Sequence, residues 1–292
     1  MKLICLLAGL SLVAICGSLS ANDTPSGHRV ALLLGNSQYE GFTLPGVQGS
    51  LKQVEDSLTR HGFRVTRREN LAEKDQEAAV EEFAKSVPTN GVALVYYIGL
   101  GAHVERFDKT YNLLRPVGEQ IASDNDYRSR GLDVAELIKK LREGSGARVN
   151  LIFLDACWDS PIRPEKGQVF GGLHEFEVGP DTLVMFAAGS RQTLPAPEGN
   201  APSAFSQSLV KNLARLDVSV EAACEAIAAN VGKTITPKPW CADTTGFGIG
   251  TRADLPLADA LRDGKAPTRM PNVVEISARS RVRIGYWEAR PN

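Results

Sequence analysis

The sequence predicts an α/β fold, a mostly parallel six-stranded sheet with helices on both faces. Three observations lead there. Short apolar runs ending in Gly or Asp recur along the chain, amphipathic helical stripes separate them, and this one rhythm holds from His28 to about Gly250. Runs of that kind are strands buried on both faces, and helices between them act as right-handed crossovers.

The first run is RVALLLG at residues 29–35. Leu51, Val54 and Leu58 then recur at i, i+3 and i+7, the stripe of an amphipathic helix stopped by Gly62. Residues 63–66 form a second strand, and Val80, Phe83, Ala84 and Val87 mark a helix that ends at Pro88. The third strand is VALVYYIG at 92–99, followed by a helix carrying Val134, Leu137, Ile138 and Leu141. VNLIFLD, ending at Asp155, and TLVMFAAG, ending at Gly189, are the fourth and fifth strands. Two further stripes follow, Phe205/Leu209/Leu213 and Val220/Ala223/Cys224/Ile227/Val231, before a last strand at 245–251.

The ends of the chain read differently. Residues 1–20 carry one cation, Lys2, a 14-residue apolar run and then small residues, the pattern of a secretory signal peptide. The run is shorter than the ~20 residues a membrane-spanning helix needs. A lipoprotein site at Cys16 is disfavoured by the bulky Ile15 before it. We therefore expect a secreted or periplasmic chain rather than an anchored one. The expected organisation is a signal peptide at 1–20, a linker at 21–27, one domain at 28–250 and a C-terminal extension at 251–292 with one or two extra strands.

Composition narrows the partners. Lys and Arg number 33 against 34 Asp and Glu, and loss of Lys2 leaves 32, so no field draws the chain to nucleic acid or anionic lipid. No cofactor pattern and no metal-ligand spacing is present, and the glycine turns at 35–37 and 99–101 lack nucleotide-loop spacing. Asp124, Asn125 and Asp126 read as a solvated acidic loop. Without the leader three cysteines remain, Cys157, Cys224 and Cys241. Cys224 and Cys241 could pair in an oxidising compartment, but Cys224 lies on an apolar stripe and reads as a buried thiol.

In parallel sheets ligands collect beyond the carboxyl ends of the strands, here residues 36–38, 99–103, 155–160 and 189–191. Cys157 ends such a strand, where a thiol is exposed enough to react. The alternative is a small apolar filler, since free cysteine is often buried.

These segments resemble the caspase and metacaspase group of cysteine peptidases. RVALLLGNSQY (29–39) is similar to that group's first strand and Gly-Asn turn, and VALVYYIGLG (92–101) to its strand ending in Tyr-Tyr-Ser-Gly-His-Gly. YNLLRPV (111–117), NLIFLDACWDS (150–160), DTLVMFAAGSRQT (181–193) and SAFSQSLV (203–210) follow in the family's order. The resemblance implies a caspase-like three-layer sandwich. It also implies Cys157 at the nucleophile position, Gly101 in the oxyanion-hole turn, and a peptide site including Asp155 and Ser190.

Two positions depart from the family. Its general base is the His of Gly-His-Gly, and here that turn is Gly99-Leu100-Gly101. Leu100 moves no proton, so the thiol lacks a base and the leaving amine an acid. The family's second pocket carboxylate, in an Asn-Asp pair, falls on Gly49-Ser50, which leaves Asp155 as a single carboxylate. Of the other imidazoles, His28 and His61 read as solvated. His103, about 10 Å along an extended chain from Leu100, would need its loop to fold back, and His174 would need a mobile segment. Trp158 reads as packing beside the thiol.

The expectation is an exported caspase-fold protein whose peptidase chemistry is impaired and which binds a peptide or protein in the former substrate cleft. The alternatives are an active Arg/Lys-preferring endopeptidase using Cys157 with a substitute His, and a thiol protein that responds to oxidation.

Overall fold

The computed structural model describes residues 28–118, 121, 123–158, 169–213, 220–234 and 239–243. The leader, the linker, the strand expected at 245–251 and the C-terminal extension lie outside the described residues.

Strand β1 (Arg29–Gly35) leads through the short hairpin of β2 (Gln38–Tyr39) and β3 (Phe42–Thr43) into helix α1 (Val47–Arg60). The expected stripe of Leu51, Val54 and Leu58 is buried. Strand β4 (Arg64–Glu69) and helix α2 (Glu73–Ser86) precede β5 (Val92–Ile98), of which every residue is buried. An antiparallel hairpin follows, β6 (Gly101–Arg106) and β7 (Lys109–Leu114), then α3 (Asp124–Arg130), β8 (Leu132–Asp133) and α4 (Val134–Gly144). Strand β9 (Val149–Asp155), β10 (Val169–Gly171) and β11 (Thr182–Phe186) lead to α5 (Ala204–Leu213), α6 (Val220–Thr234) and β12 (Trp240–Asp243).

The main sheet has the order β12-β11-β9-β5-β1-β4. Its pairs are parallel except β11 with β12, which are antiparallel. The chain runs from β1 out to the edge strand β4 and back past β1 to β5, so right-handed crossovers place α1 and α2 on opposite faces. Helix α1 packs with α5 and α5 with α6, while α2 packs with α4. The α/β sandwich follows from strands that bury both faces and helices that cover them. Each fully buried Leu or Val side chain here contributes about 1.5–3 kcal/mol relative to exposure.

Three elements differ from the reading of the sequence. Asp124, Asn125 and Asp126 are the first turn of α3, not a loop, with the Ser123 hydroxyl accepting from the Asp126 N–H at its start. Acidic residues favour that end of a helix. The β6–β7 hairpin joins β10 and β8 in a separate four-stranded sheet, order β10-β6-β7-β8. Cys224 and Cys241 form a disulfide between α6 and β12, which corrects the expectation of a buried thiol at Cys224. That pairing leaves Cys157 as the free cysteine among the described residues.

Candidate active site

The parallel strands carry their exits to one edge of the sheet. Register puts Gly35 beside Ile98, and Ile98 beside Asp155, so the Asn36 turn, the Gly99–Gly101 turn and the Asp155–Trp158 segment converge there. Asn36 braces this edge. Its Nδ2 donates to Gln76 Oε1 at 2.8 Å and to the Arg115 carbonyl at 2.9 Å, and its Oδ1 accepts from the Leu71 N–H at 3.0 Å.

Cys157 lies at this edge as expected but is not exposed: its accessibility is 0%. The correction has a physical source in two remote segments. Leu194 donates its N–H to the Cys157 carbonyl at 2.6 Å, and Leu173, itself fully buried, brings its backbone to the sulfur. Burial pushes the thiol up to about 11, against the pull of the Ala188 and Leu173 backbone. A thiol so placed is almost entirely protonated at neutral pH, the opposite of a poised nucleophile. Trp158 is packed as expected, with its indole N–H donating to the Asp155 carbonyl at 2.8 Å.

Leu100 is also buried, and its backbone is locked in place. Its N–H donates to the Tyr39 hydroxyl at 2.7 Å, and its carbonyl accepts from the Tyr97 hydroxyl at 3.1 Å and the Arg115 N–H at 2.9 Å. Tyr39 and Tyr97 thus hold the turn, a role that the sequence reading did not assign to either. Gly101 opens β6 against the Cys157 segment, so close that an added Cβ would stand 2.9 Å from Ala156 Cβ.

None of the four imidazoles is a hydrogen-bond partner of the thiol. His28 precedes β1 and His61 caps the end of α1, both at the opposite end of the sheet. The fold-back needed for His103 does not occur, because residues 101–106 are strand β6. His103 Nδ1 instead donates to the Gly172 carbonyl at 3.1 Å, and its ring stacks on Phe170 with centroids 5.1 Å apart. His174 lies in the segment after β10, its ring centroid 5.9 Å from that of His103.

The structure brings Asp155 and Ser50 together, with Ser203 as the link. Ser203 donates its hydroxyl to Asp155 Oδ2 and its N–H to the Ser50 hydroxyl at 2.9 Å. Tyr96 donates to the same Oδ2 at 2.9 Å, while Oδ1 has no partner. Burial raises the carboxyl to about 7, opposed by the bonds from Ser203 and Tyr96. Sequence reasoning did not assign Ser203 to this buried group, although the segment that contains it was singled out. A side chain at position 49 is excluded, since a Cβ there would lie 2.4 Å from the Asn200 carbonyl oxygen. Ser190, half-buried, accepts from the Glu175 N–H at 3.0 Å. Among the described residues no group of three or more His, Cys, Asp or Glu is placed to hold a metal ion.

This topology and the exit segments agree with a comparison across protein families: the caspase-domain model matches residues 28–247. The chain belongs to that family. No curated protein matches it. No helix among the described residues is long and apolar enough to cross a membrane.

Proposed function

We propose that this is an exported caspase-fold protein whose peptidase chemistry is disabled and which acts by binding a peptide or protein partner at the edge of the sheet. One observation carries the reading: the sulfur of Cys157 is sealed in the core; the resemblance adds Leu100 at the position expected of the general base. Without an imidazole the attacking thiolate does not form and the amine leaves unprotonated. The loss of one member of such a unit removes most of the rate and leaves on the order of 10³–10⁴ over water. The enclosed Asp155 adds to this reading, since a covered carboxyl whose hydrogen bonds go to Ser203 and Tyr96 is not open to a basic side chain.

The test is cleavage of peptides ending in Arg or Lys by wild type, Cys157→Ala and Leu100→His proteins. The reading predicts no Cys157-dependent cleavage in wild type, and none in Leu100→His, because the sulfur stays covered. Wild-type activity that vanishes in Cys157→Ala overturns it in favour of an active endopeptidase. A gain in Leu100→His shows that only the imidazole is missing.

A further inference from the structure

Residues 171–176 carry Leu173, whose backbone meets the buried thiol. Leu173 seats its side chain in the main core, and its carbonyl accepts from the Arg191 N–H at 2.7 Å. Gly172 makes the bend before it with φ +78, where an added Cβ would collide with the Gln192 backbone. Polar side chains hold the segment on either side of Leu173. Asn112 clasps His174 in two directions, Nδ2 to its carbonyl at 2.8 Å and Oδ1 from its N–H at 2.7 Å. Ser190 holds Glu175, and the His103 ring holds Gly172.

His103 is the unusual tether, being a titratable ring at 2% exposure with Arg191 and a second imidazole beside it. Its own strand contributes Glu105, strap residue 174 contributes a second imidazole, and the loop after β11 contributes Arg191, paired with Glu105 at 2.7 Å. The cross-strand partner on β7 is the neutral Asn112.

We infer that residues 171–176 form a proton-operated strap, in which protonation of His103 against His174 and Arg191 releases the segment and uncovers Cys157. The linkage has a definite sign. Burial pulls the His103 imidazole below its ordinary range, its Gly172 bond opposes this, Arg191 and His174 pull it further down, and Glu105 opposes them. A released strap returns the ring to water, where it binds a proton more readily, so acid favours the open form. This concerns access to the sulfur and stands whether or not the opened site cleaves peptides.

The test is trapping of Cys157 by 4,4′-dithiodipyridine, read by mass spectrometry of the Cys157 peptide in the full-length protein. Protection is referred at each pH to the urea-unfolded protein. Wild-type protection should fall by up to about tenfold per pH unit below the ordinary imidazole value of about 6.5, while amides of β5 stay protected from exchange. His103→Asn keeps a donor near the Nδ1 position without a titrating ring, and its protection should not change with pH. Arg191→Gln removes a repelling cation and frees Glu105, so the closed strap tolerates a protonated ring better, and its acid-driven opening should weaken and shift to lower pH. Flat wild-type protection, pH dependence that survives in His103→Asn, an Arg191→Gln acid response as strong as that of wild type or stronger, or loss of β5 protection in step with trapping each overturns the inference.

Discussion

Asp155 shows how a single side chain changes meaning with its surroundings. In the folded chain burial holds its proton up to about pH 7, against 3.8 for the unperturbed group. Between those values the folded state binds more protons than the unfolded one, so this group's contribution is greatest in acid and is lost as pH rises toward 7. Above that the ionised carboxylate has one oxygen without a partner, which is costly in a dry interior. Asp155→Asn removes the titration. Urea denaturation at pH 5 and pH 8 should show the wild-type midpoint dropping relative to that of the variant, and parallel profiles would contradict the assignment. The position of Asp155 and Cys157 at a strand exit was legible from LDAC alone. Their burial was not, because it depends on Leu173, Leu194 and Ser203, which lie far away in sequence and reach the site only through the fold.

At the scale of elements, what could be read depended on how much of each element's character is local. Strands β1, β5, β9 and β11 are apolar through their length because both faces are covered, so their sequences announce them. The β6–β7 hairpin escaped because its turn, Phe107-Asp108, takes positive φ at both residues without the Asn-Gly signature of such turns. Helix α3 has seven residues with only Tyr127 buried, too short to display a stripe. Strand β12 has four residues and exists through its pairing with β11. The Cys224–Cys241 disulfide ties this edge strand to α6 across 17 positions. Closing a loop of that order is worth about 3 kcal/mol. Cys224→Ser should lower stability by roughly that amount and speed amide exchange in β12 more than in β5. Unchanged exchange in β12 would mean that the strand holds without the bridge.

In the whole molecule, the caspase-domain architecture is present, and the proposed loss of peptidase chemistry draws on several separate features of it. By the resemblance the general-base position falls on Leu100 and the second pocket carboxylate on Gly49-Ser50; in the structure Cys157 is covered and the Asp155 carboxyl is buried and raised to about 7. These features share one direction, toward a packed interior, and the proposed binding role rests on them. The proposed loss of the base rests on the sequence Gly99-Leu100-Gly101 alone. The covering of the sulfur was not legible there, since a cysteine at a strand exit reads equally as nucleophile or filler.

The most direct test of this account is the ionisation of Cys157 in the native protein, followed by carbon-13 NMR of cysteine-labelled material as pH is raised. The account predicts a thiol still protonated at pH 9, in line with a midpoint near 11. A thiolate already formed below pH 7, as an imidazolium partner would produce, would contradict it.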